Sequence, residues 1–90
     1  MSSKSYNNIT AEIFACVRAT SEKEHGTVYS PPDANKGTAT TDTAVGKVIV
    51  SFDLNPATEV LSYSITSKPF IVPASTIWNG ITNTINGCSS

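Results

Sequence analysis

Between Val45 and Thr66, apolar and polar residues alternate with a period of two. Val48, Val50, Phe52 and Leu54 fall on one face; Ile49, Ser51, Asp53 and Asn55 fall on the other. Asn55-Pro56-Ala57-Thr58 interrupts the pattern. Leu61, Tyr63 and Ile65 then resume it against Val60, Ser62, Ser64 and Thr66. Alternation on both sides of a proline-containing turn predicts two antiparallel strands, 46–54 and 59–66, with one buried face. A sheet with one apolar face needs a second layer to cover it.

From Ile9 to Ala19 two patterns compete. As a strand, Ile9, Ala11, Ile13, Ala15, Val17 and Ala19 share a face. As a helix, Ile9, Ile13, Cys16 and Val17 form a stripe, with Asn8 as N-cap. The six-position alternation is the longer match and predicts a strand over 9–19. Ser21–Gly26 then reads as a charged turn, and 27–30 as a returning strand. Pro31-Pro32 stops regular structure. Residues 31–46 read as a long loop, or a loop followed by a Thr-rich edge strand at 38–44. Residues 1–8 read as a loose, polar N-terminus.

Pro69 and Pro73 frame an extended segment that carries Phe70 and Val72, or Ile71, toward the core. Beyond it Ile77, Ile81 and Ile85 stand four apart. Trp78 lies three before Ile81, and Cys88 three after Ile85. This stripe predicts an amphipathic helix over 75–86, with Ser75 as N-cap and Gly87 just past its end. Asn79-Gly80 is by itself a hairpin signal, but the alternation around it is poor and the helix is the better fit. The expected fold is α+β in one domain, 1–90. Four to five antiparallel strands (9–19, 27–30, 38–44 as the optional member, 46–54, 59–66) are covered by one C-terminal helix.

The chain has two cysteines, Cys16 and Cys88. A helix laid across the sheet brings Cys88 back to the first strand. A bridge there would close most of the chain into one loop and contribute roughly 4 kcal/mol. Two unpaired thiols are the other reading.

Charge is sparse: six basic and seven acidic residues in ninety, net −1. The basic residues are scattered, so nucleic acid is not expected as a partner. No apolar run approaches the roughly 18 residues that span a bilayer, so no membrane partner is expected. No signal peptide is visible at the N-terminus. Polarity comes mainly from Ser, Thr and Asn, a bias common in β-rich extracellular proteins. A cytosolic and an exported origin both stay open.

Catalysis at neutral pH needs a base near a nucleophile, or paired carboxylates. His25, the one histidine, sits beside Glu24 and Gly26, and Cys16 with His25 would make a thiol pair. Asp53 and Glu59 flank one turn, an arrangement that supports a hydrolase reading; solvated charges are the simpler one. Asp33-Ala34-Asn35-Lys36-Gly37 starts like a calcium loop. Thr38 and Ala44 then stand where that loop needs Gly and Glu. What is left is a loose set of Asp33, Asn35 and Asp42. There is no zinc spacing, and no cofactor is expected. Asn8-Ile9-Thr10 is a glycosylation sequon if a eukaryote secretes the chain.

Trp78 with Asn79 and Asn83, joined by Tyr63 and Tyr29, is the aromatic and amide combination that sugars bind. Trp78 as a core filler is the alternative. The leading expectation is a non-enzymatic recognition protein. It would act through a Ser/Thr/Tyr-rich sheet face or the 31–46 loop, toward a protein partner or a second copy of itself. Carbohydrate binding through Trp78 and Tyr63 is the second reading. A small hydrolase using Asp53 and Glu59 or His25 is the third.

Overall fold

The alternating segments form the centre of a five-stranded sheet. The computed structural model describes residues 3–32 and 34–89. Along the chain the elements are β1 (Ser3–Tyr6), α1 (Ala11–His25), β2 (Val28–Ser30), β3 (Lys36–Thr43), β4 (Gly46–Asn55), β5 (Val60–Ser67) and α2 (Ala74–Ser89). The sheet is antiparallel in the order β1-β5-β4-β3-β2. In β4 and β5 the residues predicted to point inward do so, with Phe52 opposite Tyr63 and Leu54 opposite Leu61. Between these strands the Asn55 side chain accepts hydrogen bonds from the amides of Ala57 and Thr58 at 3.0 and 3.4 Å. This is the Asx geometry that makes asparagine a turn residue.

The expected strand at 9–19 is a helix. Thr10, not Asn8, is its N-cap: the hydroxyl accepts from the Ile13 amide at 3.1 Å, and Gly26 closes α1 in the left-handed conformation. The strand face contained Ala11, Ala15 and Ala19, and alanine is the best helix former. It also put Phe14 on the outer face, whereas the helical turn buries Phe14 to 1 % exposure together with Val17. The expected charged turn at 21–26 is the end of this helix.

Two more segments are settled by pairing. Half of 31–46 is β3, the optional strand expected at 38–44; it pairs with β4 from Lys36 opposite Asp53 to Thr43 opposite Gly46, and with β2 on its other side it is not an edge. Its threonines are β-branched and suit a pleated surface. Within the segment expected to be loose, residues 3–6 are ordered by pairing, β1 with β5 from Ser3 opposite Ser64 to Tyr6 opposite Leu61; Met1 and Ser2 lie outside the described residues. Since β1 and β2 hold opposite edges, α1 must cross the whole sheet between them.

Both helices cover the same face. Phe14, Tyr29 and Phe52 form an aromatic centre, with ring centroids 5.4 and 5.5 Å from Phe52. The Arg18 guanidinium lies over Phe14 and donates to the Ala34 carbonyl. The α2 stripe faces inward as predicted. The helix runs on to Ser89, so Gly80 and Gly87 lie inside it rather than in a hairpin or past its end. Cys16 and Cys88 form a disulfide joining the helices, with Cα atoms 5.8 Å apart. Phe70 and Ile71 do not reach the core. They stand 96 % and 66 % exposed, while Val72 turns inward.

Candidate functional site

Side-chain size is uneven beneath the helices. Toward the C-terminal half of β4 the space is filled by Phe14, Phe52, Leu54 and Leu61. Toward its N-terminal half the sheet offers Ala39, Thr41, Val48 and Val50. Above them α2 presents Ile77, Gly80 and Ile81. Small residues face a helix that buries only Ile85 fully. The result is a mostly apolar cleft of about 370 Å³, within the range of roughly 300–1,000 Å³ typical of small-molecule sites.

Little of the cleft's surface is polar, and the polar groups that line it are mostly hydroxyls. The Thr27 and Thr41 hydroxyls bond each other at 2.7 Å. His25, the last residue of α1, stands at the rim. Tyr29 and Tyr63 contribute to the floor. Burial pushes the Tyr63 phenol far above its ordinary range, and neighbouring Tyr29 and Tyr6 reinforce the shift. Burial raises Tyr29 too, against the Ser21 hydrogen bond that lowers it.

These shifts give a pH dependence. Unfolded tyrosines ionise near pH 10. The native state holds both phenols neutral, so this contribution is whole below pH 10. It declines above pH 10, as the unfolded state sheds protons that the native state keeps, by up to about 1.4 kcal/mol per pH unit for each tyrosine. Urea midpoints measured from pH 8 to 11 should fall more steeply above pH 10 for the native chain than for Tyr63→Phe. Parallel curves would contradict this.

The residues proposed for sugar binding are divided by the fold. Tyr29 and Tyr63 face the helices, so the free side of the sheet is rich in Ser and Thr but not Tyr. Trp78 is half-buried against the core, and Asn79 is exposed. Asn83 is five residues from Trp78, so it points roughly 140° away around the helix. The two alternative hydrolase sets fall in different places. Asp53 lies on the outer face opposite Ser62, Glu59 belongs to the β4–β5 turn, and His25 is on the helix side. Cys16 is held in the disulfide, so the thiol pair with His25 does not form. Asp33 lies outside the described residues. Among the described residues, no group of three His, Cys, Asp or Glu side chains is placed to hold a metal ion. Among the described residues, no helix is long and apolar enough to cross a membrane.

Ala39, Thr41, Val48, Val50, Gly80 and Ile81 were not singled out from sequence. The signal was present but indirect. The inward positions of β3 and β4 shrink from Phe52 to Val48 and Ala39, and a glycine interrupts the isoleucine stripe. The outer face carries a different pattern. Ser3, Ser64, Ser51, Thr38 and Ser30 stand side by side across all five strands. The Ser3 and Ser64 hydroxyls bond at 2.9 Å, and those of Ser5 and Ser62 at 3.1 Å. Compared with family models, curated proteins and solved structures, the chain finds no match, and its function is therefore argued from this geometry.

Proposed function

We propose that this protein is a non-enzymatic binding protein whose ligand is a small, largely apolar molecule held between the helices and the sheet. The change from large rings to Ala39, Val48 and Val50 supports this reading, because it leaves about 370 Å³ unfilled in a 90-residue chain. Interiors of this size are ordinarily packed to the density of organic crystals. The few hydroxyls that line the cleft would orient a ligand rather than hold it by charge.

The probe N-phenyl-1-naphthylamine tests this directly, because its fluorescence rises in apolar surroundings. Saturable binding of one probe per folded chain is the expected result. Thr76→Trp should weaken it at least about tenfold. Thr76 is exposed on the first turn of α2 yet borders the cleft, so a large ring there closes the mouth without entering the core. No saturable binding, or equal binding by Thr76→Trp, would count against the reading.

The hydroxyl rank on the outer face favours a second reading, recognition of a protein, a carbohydrate or a second copy across the open sheet. Ser51 sits at the centre of that rank. Ser51→Arg should abolish such binding, or any self-association seen by sedimentation, with little effect on the probe. Association that survives Ser51→Arg would place the contact elsewhere.

A further inference from the structure

A second groove of about 450 Å³ runs between α1 and α2 and is lined by helix residues alone, with the Cys16–Cys88 bridge in its wall. His25, Gly80 and Thr84 line both this groove and the cleft. The two spaces therefore share one wall, where the two helices face each other. The lining becomes more polar across it. On the sheet side stand Ala39, Val48 and Ile81; on the outer side stand Thr20, Glu24 and Asn83.

Gly80 lies in the wall that both spaces share. Glycine inside a helix is destabilising relative to alanine, so its presence needs a reason. Crowding is not the reason: a Cβ at position 80 would meet no heavy atom of the described residues within 4 Å. Nor does the position require a positive φ. Glycine leaves this part of the shared wall without a side chain.

The groove favours hydrogen-bond donors. Glu24 is the carboxylate among its lining residues; Lys23, on the same turn, does not line it. Glu24 also lies in the last turn of α1, where the helix dipole is negative. The Thr84 hydroxyl donates to the Gly80 carbonyl at 2.9 Å, which leaves its oxygen to accept.

We propose, building on the cleft reading, that the ligand is an amphiphile. Its apolar tail lies in the cleft, it passes between the helices at Gly80, and a hydrogen-bond-donating head, an amine or an alcohol, meets Glu24 in the groove. A carboxylate head is disfavoured there.

Competition against N-phenyl-1-naphthylamine on the disulfide-bonded chain tests this, using decylamine, decanol and decanoate, which share one tail length. Decylamine and decanol should displace the probe at concentrations at least about fivefold below decanoate, the scale of one charge contact in water. Glu24→Gln should remove the preference of amine over carboxylate. Gly80→Leu should weaken all three amphiphiles about tenfold and the headless probe less than threefold. Equal competition by the three heads, an unchanged preference in Glu24→Gln, or equal weakening of probe and amphiphiles in Gly80→Leu would each overturn the proposal while leaving the cleft reading intact. Failure of the probe to bind the native chain would overturn both.

Discussion

Replacing Cys16 and Cys88 together with alanine is expected to lower stability by roughly 4 kcal/mol and to free α2 before any other element. The bridged residues are 72 apart in sequence. On the chain-entropy account, a closed loop of that length restricts the unfolded state by about this amount. A 90-residue domain has a total stability on the order of 5–13 kcal/mol, so the bridge is a large share of it. The effect should fall on α2, because α2 has few other holds. It buries Ile85 fully, keeps Ile77, Trp78 and Ile81 half-buried, and reaches the sheet edge through a 2.8 Å bond between Thr82 and the Tyr6 hydroxyl.

Denaturant unfolding with and without reductant measures the size, and amide hydrogen exchange locates it. Exchange should quicken first across 74–89 in the reduced chain, with β4 and β5 still protected. The cleft and the interhelix groove both depend on where α2 sits, so probe binding should weaken on reduction as well. Thiol alkylation read by intact mass supplies the control: neither cysteine should react until reductant is added. Alkylation of both in the unreduced chain, or equal stability of Cys16→Ala/Cys88→Ala and the native chain, would remove the bridge from this account.

Some of the fold was legible in the chain and some was not, for identifiable reasons. β4 and β5 were readable because they are central strands with one dry face, which forces strict alternation on Val48–Leu54 and Leu61–Ile65. The α2 stripe was readable because each isoleucine recurs after about one helical turn. Segment 9–19 misled because alanine is apolar enough to complete an alternation and is also the strongest helix former. Thr10 three residues before Ile13, and Phe14 on the wrong pleat for a strand, pointed to the helix. β3 was half legible: its Thr-rich run allowed a strand at 38–44 or a loop. Thr38, Thr40, Thr41 and Thr43 look like loop polarity until β4 and β2 are seen to flank them.

The candidate site was less legible than the fold, because a cavity is the absence of side chains. Nothing local marks Ala39 and Val48 as residues that fail to fill a space; the space exists only once α2 is laid over them. Tyr29 and Tyr63 were singled out from sequence and do border the site, but from inside the sandwich rather than on an outer sugar-binding face. Asn83 lines the groove between the helices rather than standing beside Trp78.

Phe52→Ala should cost about 3–5 kcal/mol, comparable to loss of the bridge but by a different route. Phe52 is 2 % exposed in the middle of β4 and lies opposite Tyr63 across the sheet. Its ring meets Phe14 of α1 on one side and Tyr29 of β2 on the other. Truncation therefore opens a hole where one helix and three strands converge, and neighbours held by a continuous sheet cannot close it. The bridge acts mainly on the unfolded chain, whereas Phe52 acts on native packing, so hydrogen exchange should separate them. In Phe52→Ala the loss should spread over α1, β4 and β5 rather than concentrate in α2. Val28→Ala serves as the reference: Val28 is 64 % exposed on an edge strand, and its loss should stay within about 0.5 kcal/mol. Phe52 does not line the cleft, so Phe52→Ala should still bind N-phenyl-1-naphthylamine wherever it remains folded. Probe binding lost in step with Phe52→Ala in an otherwise folded chain would mean that the binding space extends into the aromatic centre. A change in stability no larger than that of Val28→Ala would mean that Phe14, Tyr29 and Phe52 are not the packed centre of this fold.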